Sequence, residues 1–254
     1  MNKFWEDQLE AGYYDIVLTN GLRKKRGIQS NWHNTTFKKV SDHIKNEVHL
    51  DYACGPGTFT GIYTNSKSIC VDISSKQINY GKEKYGDKAE FFILDNFNFD
   101  KYQNYFEVIT VLGLLEFINE DESVELINGL YNLLKPGGKI ILTTVNFRST
   151  ISLLEKIQSL LTNVQYSNQF ITKHNVITLE ALLRETKFNH FQIQKYMNFG
   201  IFFSIFGHKV ANNIQKLIEI LFNNFFGYLL FATLQKENES VSYTHLTLPT
   251  TVIV

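Results

Sequence analysis

Asp51, Gly55 and Gly57 fall within one stretch, Leu50-Asp51-Tyr52-Ala53-Cys54-Gly55-Pro56-Gly57. It reads as a strand that runs straight into a glycine-rich turn and then a helix. Two glycines at alternate positions let a backbone approach a ligand with no side chain in the way. A second acid, Asp72, closes the next apolar run at the spacing expected for recognition of a ribose. One carboxylate accepts hydrogen bonds from both hydroxyls of a ribose at once. The competing reading is structural, with a tight turn at the glycines and a cap at Asp72. The two features together favour a nucleotide-like ligand. A dinucleotide fingerprint would read G-x-G-x-x-G, whereas here Thr60 takes the third position and Gly61 comes one step late. Asp51 would repel a pyrophosphate and would suit a ligand that carries an ammonium group.

Such residues act together only if the ends of several strands meet, and the pattern supplies those strands. Apolar runs at 48–52, 68–71 (ending in Asp72), 90–94 (ending in Asp95-Asn96), 106–112 and 139–145 predict five strands. Helices alternate with them. Trp32, Phe37, Val40 and Ile44 fall near helical spacing between Gln29 and Asn46. Ser75 is the expected N-cap of a helix through Tyr85. Glu120-Asp121-Glu122 opens another helix, which Lys135-Pro136-Gly137-Gly138 stops. Beyond the fifth strand, Ile151, Leu154, Ile157 and Leu161 predict a helix, and 178–187 a further one. Runs 190–197 and 227–234 predict a hairpin-like pair of strands. Between them lies an apolar helical stripe of Ile214, Leu217, Ile218, Leu221 and Phe225. Alternating strands and helices give a parallel, doubly wound α/β sheet, whose ligands bind beyond the carboxyl ends of the strands. The acids and glycines above cluster at those ends.

The whole chain narrows the class further. Its 254 residues suit one α/β domain with additions, and apolar residues at 44% are ample for a packed core. Net charge is zero, so no general electrostatic drive toward nucleic acid is expected. Cys54 and Cys70 make no disulfide framework and no metal-ligand spacing, and they are read as reduced, buried thiols of a cytoplasmic protein. No metal site is expected. The acidic start Met1-Asn2-Lys3-Phe4-Trp5-Glu6-Asp7 does not resemble a signal peptide, and no apolar run is long enough to span a membrane. Val241-Ser242-Tyr243-Thr244-His245-Leu246-Thr247-Leu248-Pro249-Thr250 matches a translated transposon-type sequencing adaptor, so residues 241–254 are expected to be a foreign tail, the competing reading being an ordinary β-prone end. That tail is set aside, and His245 with it.

With five motifs in order, the chain resembles the class I S-adenosylmethionine-dependent methyltransferases, in the broad type 11 group. Asp51-x-x-Cys54-Gly55-x-Gly57 is similar to the first motif of that family, and Asp72 to its ribose-binding acid. Asp95-Asn96 resembles the pair beside the adenine. Phe106-Glu107-Val108-Ile109 through Leu115-Glu116-Phe117 resembles the fourth-strand motif, and Leu134-Lys135-Pro136-Gly137-Gly138 the segment before strand five. The likeness is in register over residues 46 to 147 and looser over 1 to 236. It implies a Rossmann-like, mostly parallel seven-stranded sheet, with a helical cap at 1–45 and the main domain at 46–236. Helical lid insertions are expected near 150–176 and 200–225. It implies S-adenosylmethionine as cofactor. Asp51 and the Ala53, Cys54, Gly55 and Gly57 backbone would hold the methionine moiety. Asp72 and Ile73 would hold and pack the adenosine, Asp95 and Asn96 would face the adenine, and Leu112 and Gly113 would form the floor. Methyl transfer in line at a sulfonium needs alignment more than acid–base groups.

Many members of the family carry Glu-His in the fourth-strand motif, and this chain has Glu116-Phe117, so no histidine base comes from there. Tyr14 and His33 in the N-terminal region are the candidate catalytic residues, with Tyr13 beside them. Their competing readings are core or surface aromatics and a structural histidine. Arg23-Lys24-Lys25-Arg26 is read either as an anion-binding run or as a solvated turn, and His174 as a residue that could face the site. The Phe-rich stretch 199–206 and the stripe around Leu217 are read first as a packed lid or core. The competing reading is cover for a hydrophobic acceptor or contact with a membrane surface. The expected activity is methyl transfer to a small-molecule acceptor, apolar or lipid-linked. The competing class is a noncatalytic cofactor-binding module that acts through a protein partner.

Overall fold

The computed structural model describes residues 4–148 and 169–238. The helix expected around Leu154, most of the first lid insertion and the tail lie outside them. Seven strands form one sheet: β1 (His49–Tyr52), β2 (Ser68–Asp72), β3 (Ala89–Ile93), β4 (Phe106–Leu112), β5 (Leu134–Val145), β6 (His190–Tyr196) and β7 (Leu229–Gln235). Their order is β3-β2-β1-β4-β5-β7-β6. The first five run parallel, and β7 is antiparallel to both β5 and β6. The expected pairing of the last two strands is thus found, with β7 inserted between β5 and β6. The order reverses between β1 and β4, which opens the crevice where ligands of such sheets bind.

Helices cover both faces, so the central strands read as continuous apolar runs rather than as alternating ones. On one face α5 (Glu120–Leu133) and α6 (Val176–Arg184) bury Ile127, Leu130, Leu179 and Leu183 against Leu50, Ile109 and Ile140. On the other lie α2 (Ile28–Ser41), α3 (Thr58–Tyr63) and α4 (Ser75–Tyr85). There Val40 and Phe59 pack on Val108 and Ile141, and Ile78 packs on Cys70 and Phe91. The cap adds α1 (Tyr13–Lys24), and α7 (His208–Phe222) occupies the β6–β7 connection.

Several boundaries differ from those expected. Helix α4 is capped by Ser74, whose Oγ accepts from the Gln77 amide at 3.3 Å. Ser75, the expected cap, instead donates to Glu6 at 2.5 Å. Helix α2 ends at Ser41, because His43 and Ile44 bond back three residues, to Val40 and Ser41, in a tighter turn. Ile44 stays buried, so the apolar spacing marked the packed residue but not the helix end. Strand β5 starts at Leu134, five positions before the expected 139: Phe106 pairs with Leu134 and Val108 with Lys139. Residues 135–138 bulge between those pairs, which is where Pro136 can sit without a ladder hydrogen bond. The stripe on α7 departs most. Ile218 is buried, but Leu217, Leu221 and Phe225 are exposed, so the stripe is neither core nor packed lid.

Candidate active site

The site gathers at the carboxyl ends of β1 to β4. After Tyr52 the backbone enters the left-handed region at Ala53 (φ 59°), Gly55 (φ 53°) and Gly57 (φ 70°) before α3 begins. Gly57 is required: a Cβ there would stand 2.4 Å from Cε1 of Phe91. At Gly55 a Cβ would meet nothing within 4 Å. The turn therefore presents bare backbone to open space at Gly55, and it is packed from behind at Gly57.

Asp72 ends β2 and is partly exposed. Its Oδ2 accepts from the Gly55 amide at 2.8 Å and its Oδ1 from the Ser74 amide at 2.9 Å. Burial raises its pKa, and the amide hydrogen bonds oppose that rise. Asp51 is differently placed. It is buried, and its two oxygens accept from the hydroxyls of Thr110 at 2.8 Å and Thr60 at 3.1 Å. Desolvation pushes it up to about 7 against those two bonds. Thr110 also meets Nε2 of His49 at 2.8 Å, and His49 reaches Ser68 through Nδ1 at 3.0 Å. Asp51 thus ties α3 and β4 to the turn and reaches a ligand only through lone pairs the two threonines leave.

Ile73 is partly exposed beside Asp72, Asp95 and Asn96 are exposed in a short turn (Leu94–Asn96) just past β3, and Leu112 and Gly113 follow β4 with Gly113 at φ 68°. Cys54 is half-buried, and burial against Cys70 pushes its thiol well above the usual range. All the residues expected to surround the cofactor therefore stand along one edge of the sheet.

The N-terminal segment is bound to that edge. Glu6 accepts from Ser74 at 2.7 Å and from Ser75 at 2.5 Å, next to Asp72. Trp5 meets Phe117 edge-on at 4.8 Å, and Phe117 continues to Phe170 at 5.5 Å and Phe147 beyond it at 5.2 Å. Phe117, where a histidine is common in relatives, thus belongs to an aromatic wall. Tyr14 and His33 do come together, with ring centroids 5.4 Å apart, and His33 leads through Phe37 to Phe59 on α3. Desolvation among these rings lowers His33 to about 4, so it is neutral at pH 7. Tyr13 donates to Gln29 at 3.3 Å. Arg23, Lys24, Lys25 and Arg26 are exposed beside the turn that precedes α7.

Two buried groups lie near the floor: Glu116, expected only as part of the fourth-strand motif, and His174, expected as a residue that could face the site. Glu116 is buried, accepts from Thr144 at 2.8 Å, and places Oε1 3.6 Å from where a Cβ on Gly113 would stand. Burial pushes it up to about 7, against its hydrogen bonds. His174 is also buried, and neither ring nitrogen has a hydrogen-bond partner of ordinary geometry. Burial lowers its pKa, with the Leu115 backbone and Glu120 opposing. Only folding shows that Thr144 and residues 170–174 converge on the segment after β4. Among the described residues no group of three or more His, Cys, Asp and Glu is placed to hold a metal ion.

Fold and site together define a Rossmann-like domain whose crevice is bordered by a bare backbone turn and a partly exposed carboxylate. Residues 50–138 match the family model described as a methyltransferase domain. Malonyl-[acyl-carrier protein] O-methyltransferase 1 of Ilyobacter polytropus is 30% identical over 148 residues, 53% of this chain and 54% of that protein. The chain spans about half the length of the curated relatives it matches. Among solved structures, an S-adenosylmethionine-dependent methyltransferase from Archaeoglobus fulgidus shares the fold. Its TM-score is 0.52 and its identity 17%, over 88% of this chain and 94% of that one. Phosphoethanolamine N-methyltransferase 2 of Haemonchus contortus, in complex with S-adenosyl-L-methionine, also shares it. There the TM-score is 0.52 and the identity 15%, over 81% of this chain and 52% of that one. Residues 50–138 thus match a methyltransferase domain, and the motifs and sheet order around them are similar to those of the class I S-adenosylmethionine-dependent methyltransferases. S-adenosylmethionine is the cofactor of that domain, and the residues present fit it: an open backbone cradle at Gly55 and a partly exposed carboxylate at Asp72 face the same crevice.

Proposed function

We propose that the chain transfers the methyl group of S-adenosylmethionine to a small-molecule acceptor, apolar or lipid-linked. The reading is carried by the link between Asp72 and the Gly55 amide, which aligns a carboxylate with a bare turn across the β1–β2 edge. When bound, the cofactor supplies an electrophilic methyl on a sulfonium. The Ala53–Gly57 backbone and Asp51 would position its methionine part, Asp72 and Ile73 its ribose, Asp95 and Asn96 its adenine, with Leu112 and Gly113 beneath. Trp5, Phe117, Phe147 and Phe170 would exclude water from the acceptor side and favour an apolar acceptor. The name of the Ilyobacter polytropus relative, with its acyl-carrier substrate, is in keeping with a lipid-linked acceptor.

Where the acceptor must lose a proton, three groups are available. Glu116 accepts a proton near neutral pH, and Tyr14 and the neutral His33 form a second candidate pair on the cap. No helix among the described residues is long and apolar enough to cross a membrane. We place the protein in the cytoplasm, acting without nucleic acid. Isothermal titration with S-adenosylmethionine tests the cofactor reading, and absence of binding would overturn it. Transfer of a radiolabelled methyl group across a metabolite extract then tests catalysis. Binding without any labelled product would leave a noncatalytic module instead.

A further inference from the structure

The β6–β7 connection leaves and re-enters the sheet at the carboxyl edge, since Tyr196 pairs with Leu229 there. It carries most of the exposed large apolar side chains among the described residues. Helix α7 buries Ala211, Gln215 and Ile218 against the body. A second apolar stripe, turned away from that side, stays in solvent: Val210 is 45% exposed, Leu217 56% and Leu221 64%. These three recur at helical spacing, so they form one line along the helix. Just before the helix Phe206 is 73% exposed, and just after it Phe225 is 69% exposed. Monomeric surfaces rarely leave so continuous an apolar stripe without an occupant.

The sequence places its basic run at one end of that stripe. The His208 amide donates to the Lys25 carbonyl at 2.8 Å, and the Gly27 amide donates to the Ser204 carbonyl at 2.8 Å. Arg23, Lys24, Lys25 and Arg26 therefore border the turn that holds Phe206, and all four are exposed. Lys209, on the first turn of α7, is exposed as well. Among the described residues none of these five cations has a carboxylate within ion-pair distance; the ion pairs present join Lys84–Asp15, Lys135–Glu107, Arg184–Glu180 and His190–Glu237.

We propose that this face is a docking surface for an anionic lipid bilayer, with α7 lying in the interfacial plane. The charge pattern selects the occupant. An amphipathic helix whose apolar stripe is bordered by unpaired cations matches the layered polarity of a membrane surface, acyl chains beneath negative headgroups. The shape agrees. The apolar side chains are mostly more than half exposed, so they project from the surface rather than line a concavity that would receive a partner's side chain. This proposal does not rest on methyl transfer and would stand if the domain only bound its cofactor.

Co-sedimentation of the full chain with vesicles tests it. Binding is expected to phosphatidylcholine vesicles that contain phosphatidylglycerol, and not to phosphatidylcholine alone. Replacing Arg23, Lys24, Lys25 and Arg26 together by Gln should weaken binding on the order of a hundredfold or more, at roughly fivefold per cation near an anionic surface. The pair Phe206→Ser and Leu221→Ser should abolish it while leaving the unfolding midpoint and S-adenosylmethionine affinity unchanged, since both side chains stand in solvent. Equal binding to neutral vesicles, or no loss in the serine pair, would overturn the proposal. So would a dimer in light scattering that the serine pair dissolves and that binds no vesicles. Capture of a protein partner through this face without vesicle binding would overturn it too.

Discussion

The carboxylate of Asp72 accepts a hydrogen bond from the Gly55 amide at 2.8 Å, so the acid that ends one strand is held by the turn that ends its neighbour. On the proposed site, the bond would fix two ligand contacts relative to each other before any ligand arrives. A ribose that donates to Asp72 would then lie beside the bare backbone of Gly55. Preorganisation of this kind lowers the ordering cost of binding.

Asp72→Ala should therefore weaken S-adenosylmethionine binding by roughly 1.5–3 kcal/mol, the range of a hydrogen bond to a charged group. Isothermal titration measures it. An unchanged affinity would place the cofactor elsewhere.

The two glycines of the turn should separate binding from stability. Gly57→Ala places a Cβ 2.4 Å from the Phe91 ring at a φ of 70°, so strain and overpacking add, at about 2–4 kcal/mol of lost stability. Gly55→Ala meets no atom within 4 Å and should cost only the left-handed backbone, about 1–2 kcal/mol. Its methyl group instead enters the cradle and should lower cofactor affinity out of proportion to stability. Urea unfolding and titration of both variants check the contrast. A Gly55→Ala protein that binds as tightly as the parent would show that the cradle opens away from the ligand.

Much of this site was legible in the sequence because parallel strands buried on both faces are long apolar runs, and their ends are marked by Asp51, Asp72 and Asp95. Strand β4 matched its expected bounds, 106–112, residue for residue. The cap was less legible. Helix α1 has Gly12 at its N-cap and so no capping side chain, and its buried positions include Asp15 and Gly21, so it shows little apolar period. Glu116 was read only as the partner of the missing histidine. Its role as a buried, partly protonated acid depends on Thr144 and on residues 170–174, which lie next to it only in the folded chain. The stripe on α7 was legible as a helix but not as an exposed one, because periodicity reports an apolar face and not what covers it.

Glu116 should impose a pH dependence. Its pKa is raised to about 7, above its unfolded value near 4.5. The neutral acid is favoured by the fold, so this group's contribution to stability is complete below about pH 4 and is lost as pH rises through 7. Glu116→Gln removes that loss. Relative to the parent, the variant should gain about 3 kcal/mol between pH 4.5 and pH 8, read from urea midpoints at both values. If Glu116 also takes the acceptor's proton, transfer should rise through pH 7 in the parent, and the rise should vanish in the variant. A variant whose activity still climbs through pH 7 would show that Glu116 is not the group that takes the proton.

Asp15 should anchor the cap. It is buried on α1 and accepts from Tyr80 at 2.9 Å, from Tyr85 at 2.5 Å and from Lys84, all on α4. Burial alone would raise its pKa, but these three donors override it and hold the carboxyl below its usual range. The stability it contributes is therefore present at neutral pH and is lost as pH falls below about 4. Asp15→Asn keeps the shape and removes the charge, so about 1–3 kcal/mol should be lost at pH 7. The gap between variant and parent should narrow on acidification. The cap also carries Trp5 and Glu6 over the crevice, so a loosened α1 should raise the cofactor's dissociation rate. Thermal unfolding at pH 7 and at about pH 2–3, below the unfolded pKa of the carboxyl, with stopped-flow release of the cofactor at pH 7, measures both effects. Equal stability of variant and parent at pH 7 would mean that the cap is held by its aromatic contacts alone.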